Sequence, residues 1–382
     1  MILQVEKFQE VCKYIASAVD TDSTLKNLAF IDAVELVAKD KELRLNVTNG
    51  EYYVSVSLPL DEESSMRAVV DAKLFLALIS KITTKSVELE TVENALVVKA
   101  NGTYKFPLKF DVDSMLTLPR IEINNPTSTF KVNGETLVSI LDNNTREVNP
   151  LSTAKKCRYY YLDNEGCLTF VSDASSACVN NFKLDTTVKL MLTTKLVKLF
   201  KLFKPGDVDV TLGFEEVSGV AQTRVRFTQD DVEVTSILQN DQALISSVPA
   251  TAIRNVANQV FENTISFDKK EFMDAIDRLL LLDTSISLNK GVGILSFAET
   301  CVTLYDHRRA NNKDDMASNS EVITYMAGTV DTPCTLNLRL DKIREILMGT
   351  DAQTFNLCFG DTKAVSISFG NVRNVLSQSR IH

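Results

Sequence analysis

The sequence has no tryptophan and only two histidines, His307 and His382, among 382 residues. It has no C-x-x-C pair, and its seven cysteines (Cys12, Cys157, Cys167, Cys178, Cys301, Cys334 and Cys358) are scattered. A zinc centre needs closely spaced ligands, so no metal is expected and the thiols read as reduced and mostly buried. Neither G-x-x-x-x-G-K-[ST] nor G-x-G-x-x-G occurs, which leaves nucleotide hydrolysis to a partner and gives no cofactor to expect. The run SDASS offers Ser172, Asp173, Ser175 and Ser176. A serine nucleophile needs a general base, and the two histidines stand in a polar loop and at the last residue, so the chain reads as no enzyme. No window approaches ~18 consecutive apolar residues, so no membrane partner is expected. The opening MILQVEKFQEVCKYIASAVD has charges every few residues and no small-residue cleavage site, unlike a secretory signal. A cytoplasmic location is the expectation.

Cationic excess is also missing. Fifty acidic residues against 41 basic ones give a net charge of −9, which argues against indiscriminate binding to nucleic acid or anionic membranes. Net charge does not say where the charges lie. An acidic protein can carry one basic surface.

What is present is a length for two or three domains at ~150 residues each. Six stretches repeat their apolar residues at helical spacing: Val5–Val19, Ala72–Ile82, Asn133–Leu141, Thr194–Phe203, Lys269–Leu281 and Asp341–Met348. Between them the period falls to two. ELRLNVTNGEYYVSVSLPL alternates around an Asn49–Gly50 hairpin signal, and VDVTLGFEEV, TRVRFTQDDVEVTSI and TFNLCFGDTKAVSISF alternate likewise. Half-buried antiparallel strands joined by short turns make the class α+β.

The order of elements recurs. DAKLFLALISKITTKSVELET, TTKLVKLFKLFKPGDVDVTLG and RLDKIREILMGTDAQTFNLCF are three versions of one helix-then-strand unit. Their spacing of more than a hundred residues is far longer than a solenoid period. Three tandem copies of one domain follow, with two helices packed on antiparallel sheet in each. The boundaries are expected at 1–125, 126–255 and 256–382, with linker-like breaks at Glu122–Thr129 and Ser246–Gln259.

In TTKLVKLFKLFKPGDVDV, Leu196, Leu199, Phe200 and Phe203 share one stripe and Lys195, Lys198 and Lys201 fall opposite. For a lone helix, a lysine face means solvent. The corresponding helices shift that balance: Lys73 and Lys81 accompany the first, Arg339, Lys342 and Arg344 the last, and AKKCRYYY adds Lys155, Lys156 and Arg158. Lysine and arginine on helices, without base-reading motifs, suit sequence-independent contact with phosphates. Asp306–His307–Arg308–Arg309 is a further candidate phosphate contact.

Taken with NGTYKFPLKFDVDSMLTLP, CRYYYLDNEGCLTFVSD and SFDKKEFMDAIDRLLLLD, the threefold plan resembles the bacterial DNA polymerase III beta subunit, the replicative sliding clamp family. The resemblance spans the chain. It implies a ring-forming DNA-clamp fold, a head-to-tail homodimer of six like domains, double-stranded DNA threading the hole, and tethering of a DNA polymerase as a processivity factor. It also implies an ATP-dependent clamp loader as a partner. Lys195, Lys198, Lys201, Lys155, Lys156, Arg158, Lys73 and Lys81 would then face the channel. Phe106, Leu281 and Leu282 match the family's apolar dimer interface, and LLLLD is a longer apolar run than one helix needs for its own core. Leu162, Ser172, Ala174, Pro249, Ile253 and Leu376 fall where the family's partner-peptide pocket would be. There the sequence departs from the pattern: SDASSACV replaces a TDGHRLA-like run and SQSRI an MPMRL-like ending, which changes pocket shape and charge. Such divergence suits a virus- or plasmid-encoded clamp. The rival readings are a DNA-binding protein that does not encircle its substrate and a structural oligomer whose basic face packs on acidic neighbours.

Overall fold

The computed structural model describes residues 1–20, 28–172, 175–217, 220–283, 290–306, 308 and 318–379. One sequence of elements occurs three times within them. The first runs β1 (Ile2–Gln4), α1 (Val5–Ala18), β2 (Ala33–Lys39), β3 (Glu42–Thr48), β4 (Tyr52–Pro59), β5 (Met66–Asp71), α2 (Ala72–Ile79), β6 (Ser86–Val92), β7 (Ala95–Lys99) and β8 (Thr103–Pro107). Two short strands follow, β9 (Phe110–Asp111) and β10 (Ser114–Met115). The order restarts with β11 (Pro126–Asn133), α3 (Gly134–Asn144), β12 (Tyr160–Asp163), β13 (Gly166–Phe170), β14 (Ser176–Asn181), β15 (Leu190–Leu192), α4 (Thr194–Lys198), β16 (Asp207–Val217), β17 (Val220–Gln229) and β18 (Val232–Leu238). Helices α5 (Gln242–Ser246) and α6 (Ala250–Ala257) lead to the third round. It holds β19 (Asn263–Asp268), α7 (Lys269–Leu282), β20 (Val292–Phe297), β21 (Cys301–Asp306), β22 (Ser320–Thr324), β23 (Cys334–Arg339), α8 (Leu340–Met348), β24 (Thr354–Phe359), β25 (Ala364–Phe369) and β26 (Val372–Ser377).

The chain divides into two compact units, Met1–Leu137 with Lys195–Gln239, and Val138–Thr194 with Asn240–His382. Each holds one eight-stranded and one four-stranded antiparallel sheet. In the first unit the orders are β11-β16-β17-β18-β4-β3-β2-β5 and β1-β6-β7-β8. In the second they are β15-β12-β13-β14-β26-β25-β24-β19 and β22-β21-β20-β23. Each long sheet therefore joins strands from two successive repeats, through β18 on β4 (Val234 opposite Val54) and through β14 on β26 (Cys178 opposite Asn374).

Local chemistry explains the elements. Asp71 caps α2 by accepting from Leu74 N (2.8 Å), and Asp268 caps α7 by accepting from Glu271 N (2.8 Å). The Asn49–Gly50 turn forms as the dipeptide signals: Gly50 sits at φ +85°, and Asn49 Oδ1 accepts from Glu51 N and Tyr52 N (2.9 and 3.0 Å). Alternating residues fill the cores. Phe267, Phe272 and Phe355 are buried together, with Phe267 and Phe272 ring centroids 4.9 Å apart, and each such side chain contributes about 1.5–3 kcal/mol of burial.

Two expectations are revised. The stretch Ser246–Gln259 is not a plain linker, because α6 occupies Ala250–Ala257 and buries Arg254 and Ala257. The Thr194–Phe203 helix is α-helical only to Lys198 and tightens into a 3-10 turn over Leu199–Leu202. Val197 in the α-helical part and Leu202 in the 3-10 turn are buried beside the expected Leu196, Leu199, Phe200 and Phe203.

The β12–β13 turn depends on Gly166, at φ +126°, where an added Cβ would stand 2.1 Å from Asn180 O. Gly166→Ala is expected to lower stability by about 1–3 kcal/mol or more, read as a fall in the denaturant midpoint at unchanged slope.

Candidate nucleic-acid interface

The lysines of the α4 segment have different surroundings. Lys198 and Lys201 are exposed and make no ion pair with a described residue. Lys195 is engaged: its Nζ lies 3.3 Å from Asp20 Oδ2 and 3.9 Å from Glu51 Oε1. Lys204 Nζ donates to Glu10 Oε1 (3.3 Å) and sits 5.5 Å from the Tyr14 ring centroid. In the first repeat Lys73 on α2, Lys81 just beyond it, and Lys7 and Lys13 on α1 are exposed.

A 3-10 turn carries Lys155, Lys156 and Arg158. Lys155 is exposed. Lys156 donates to Ser247 O (3.4 Å) and lies 5.9 Å from the Phe170 ring centroid, while Arg158 Nε donates to Ser152 O (2.5 Å). The third repeat is mostly neutralised. Arg278 binds Glu321 (2.7 Å), Arg339 binds Asp341, Lys342 binds Glu147 (3.2 Å) and Arg344 binds Asp277. Arg308 binds Asp306 (2.5 Å). Burial works to raise the Asp306 carboxyl, but Arg308 and the Asn319 N–H outweigh it and hold it below the ordinary carboxylate range. His307 and Arg309, from the same candidate contact, lie outside the described residues.

Of the six residues assigned to a peptide pocket, Leu376 lines a cavity with Val171, Ser175 and Ser176, beside Ser172, and Pro249 lines another. Successive residues of a strand face opposite ways. Tyr161 and Val375 share a cluster with Ile245 and Ala257, against which Ile253 and Val248 pack. Their neighbours Leu162 and Leu376 are buried, and Leu376 belongs to the other core. Pro249 is exposed at the start of α6, Ser172 is exposed, and Ala174 lies outside the described residues. A cavity of about 390 Å³ is lined by Tyr161, Asp163, Glu165, Val248, Pro249 and Arg254. Its base is polar. Arg254 donates to both Asp163 oxygens (2.7 Å each) and stands 3.1 Å from Glu165. Of these lining residues Tyr161 and Arg254 were not among the sequence candidates, and nothing local marks Arg254 as the partner of Asp163.

The apolar candidates are accessible. Leu281 and Leu282 on α7 are 80% and 52% exposed, while Leu279 is buried. Phe106 is half-buried on β8, its ring edge against Phe75 (5.5 Å).

The fold is that of the DNA polymerase sliding clamps. The DNA polymerase III subunit beta of Pseudomonas aeruginosa superposes with a TM-score of 0.78 at 14% identity, covering 100% of this chain and 99% of that one. The sliding clamp of Bacillus subtilis gives 0.75 at 17% identity, with the same coverage. The beta subunit of Thermotoga maritima gives 0.77 at 12%. In sequence, the chain is 22% identical over 299 residues to the beta sliding clamp of Bacillus subtilis, spanning 73% of this chain and 72% of the relative. No protein-family model matches the chain. The chain is thus similar in fold over its whole length, and in sequence over most of it, to beta sliding clamps.

The Asp163–Arg254 pair is almost fully buried, at 7% and 9% side-chain exposure. Arg254→Met should strand the Asp163 charge and cost about 3–5 kcal/mol, whereas Arg254→Met with Asp163→Leu should recover most of it. Thermal melts of the two variants check this.

Proposed function

We infer that the protein is a DNA sliding clamp, a non-catalytic ring that encircles duplex DNA and holds a DNA polymerase on it. One observation supports this reading beyond the likeness of fold. Each eight-stranded sheet pairs the third of the four strands between one repeat's two helices (β4, β14) with the last strand of the next repeat (β18, β26). The strands in those two positions that lack such a partner are β22 in the third repeat and β8 in the first, both at the edges of four-stranded sheets. An unpaired edge invites another strand. Head-to-tail pairing of β22 in one copy with β8 in a second would complete the same eight-stranded sheet and, done twice, close a dimer. Phe106 and Leu281–Leu282 would lie at that joint, and Val322, 63% exposed on β22, adds to the apolar surface.

The three domains of this ring would be 1–125, 126–255 and 256–382. Helix faces would line the hole, with Lys198, Lys201, Lys73, Lys81 and Lys155 as cations that make no ion pair with a described residue, and Lys7 and Lys13 beside them. Lys195, Lys156 and Arg158 are held by protein groups and are weaker candidates. Loose contacts of this kind permit sliding, since separate lysine–phosphate contacts in water are weak and sum to a salt-dependent attraction. An ATP-dependent loader would open the ring. The cavity beside Tyr161, Pro249 and Ile253 would take a partner's peptide, with polar groups at its base. A cytoplasmic location fits a replication protein.

The chain should run at twice its monomer mass. Loaded on nicked circular DNA it should be retained, and it should leave when the circle is cut; retention that ignores DNA ends would favour a binder that does not encircle. Lys198→Glu with Lys201→Glu should cut retention by about tenfold at ~0.1 M salt, with the dimer intact. Lys195→Ala should have a much smaller effect.

A further inference from the structure

Residues 116–125, between β10 and β11, join the first two repeats without entering a sheet. Leu116, Leu118, Ile121 and Ile123 are buried while Thr117, Arg120, Glu122 and Asn124 are exposed, the alternation of an extended chain. The segment lies on the first unit's eight-stranded sheet at Gly213, where an added Cβ would stand 2.4 Å from Ile123 Cγ2. Side chains hold it there. Arg67 Nη2 donates to Leu116 O (2.7 Å), Arg224 Nη1 donates to Glu122 O (2.6 Å), and Glu215 Oε1 accepts from Asn124 N and Asn125 N (2.6 and 3.1 Å). The N–H and C=O groups of Ile121 and Ile123 find no backbone partner among the described residues, although both residues are over nine-tenths buried.

A groove of about 950 Å³ runs beside this segment. Its floor is one cross-strand row: Asn46 on β3, Ser55 on β4, Glu233 on β18 and Thr228 on β17. Asn46 is 2% exposed, and its Nδ2 donates to Glu35 Oε2 (3.0 Å). That bond fixes the amide and leaves Oδ1, turned away from Glu35, without a donor. Glu233 and Asp231 also line the groove, and neither makes an ion pair with a described residue. Once Arg44 is set against Glu42 (2.7 Å) and Arg120 against Glu35 (3.8 Å), two lining cations, Lys39 and Arg226, remain against five carboxylates. The uncompensated lining is acidic.

We propose that this groove takes an extended, lysine- or arginine-bearing peptide of a partner protein, which adds as a strand alongside Ile121–Ile123 and sets a cationic side chain against Glu233. An extended segment with unpaired N–H and C=O groups is a template for strand addition. Main-chain bonds then supply affinity, and the side chains beneath supply choice. The orphan Asn46 oxygen calls for a donor, and the acidic lining favours a cation over a polyanion. The groove's volume falls in the ~300–1,000 Å³ range of ligand sites. The site belongs to one chain, so it stands apart from the ring reading and from the lysines of the helix faces.

The test is fluorescence anisotropy on the full chain with a labelled peptide of about seven residues that alternates lysine and threonine, at ~0.15 M salt. Its control is the same peptide N-methylated on every second amide, which keeps the charge and loses those donors. The methylated peptide should bind about tenfold more weakly than its parent. Glu233→Gln should raise the parent's dissociation constant by about threefold to tenfold. Glu299→Gln, the same change on an exposed carboxylate of the second unit, should leave it within about twofold. Circular dichroism confirms that both variants fold, and amide exchange at Ile121 and Ile123 should slow when the peptide is bound. A methylated peptide that binds as well as its parent, or two variants that behave alike, shows only general attraction to an acidic surface and overturns the proposal. Absence of binding up to ~1 mM peptide overturns it as well.

Discussion

Antiparallel pairing across the repeat boundaries, β4 on β18 and β14 on β26, is the constraint on which the remaining architecture depends. Backbone N–H and C=O groups at a sheet edge need partners, and a repeat with two sheet edges can satisfy them by lending each to a neighbour. Three repeats in a line satisfy two joints and leave β8 and β22 over. Closure with a second chain, as proposed, would answer the constraint by the same backbone pairing. The helices are then free of sheet-building duty and can present side chains to something else.

Charge follows from that division. The chain is acidic overall, and several of its basic groups are held by carboxylates: Lys195 by Asp20, Lys204 by Glu10, Lys342 by Glu147, Arg278 by Glu321 and Arg254 by Asp163. Other lysines on or near helices, among them Lys198, Lys201, Lys73 and Lys81, make no ion pair with a described residue. A short list of solvated cations attracts a polyanion without gripping it, and the surrounding acidic excess discourages adventitious binding elsewhere on the surface.

Much of the fold was legible because periodicity is a local property. The alternation in ELRLNVTNGEYYVSVSLPL gave both strands and the turn, and the i, i+3, i+4 pattern of Phe75, Leu78 and Ile79 gave α2. Helix α6 was missed because its short apolar pattern follows a proline and is held by a long-range pair, Arg254 with Asp163 across 91 positions. The lysine face was legible as amphipathic, but which lysines are free was not. That depends on Asp20 and Glu10, which lie more than 170 residues away in sequence and carry no mark of their destination. Which neighbour in Tyr161–Leu162 and Val375–Leu376 joins the cluster against which Ile253 packs was not legible locally. In a strand, one residue is the whole difference between two faces.

The repeats themselves also hold information that single residues lack. Glu147 and Leu282 have nothing in common chemically, and neither would draw attention by comparison with the other. Glu147 closes the 3-10 turn that follows α3 and Leu282 closes α7, so the ends of two corresponding helical segments carry different chemistry. Where the neighbour is tethered by the chain, a buried carboxylate is tolerable because Lys342 cannot diffuse away. Where the neighbour is a separate molecule, the same carboxylate would be stranded whenever the joint opened, and desolvating it again on closure would oppose reassociation. Leucine faces no such cost in ions. A joint that must open and close repeatedly favours a surface whose exposed state is merely hydrophobic.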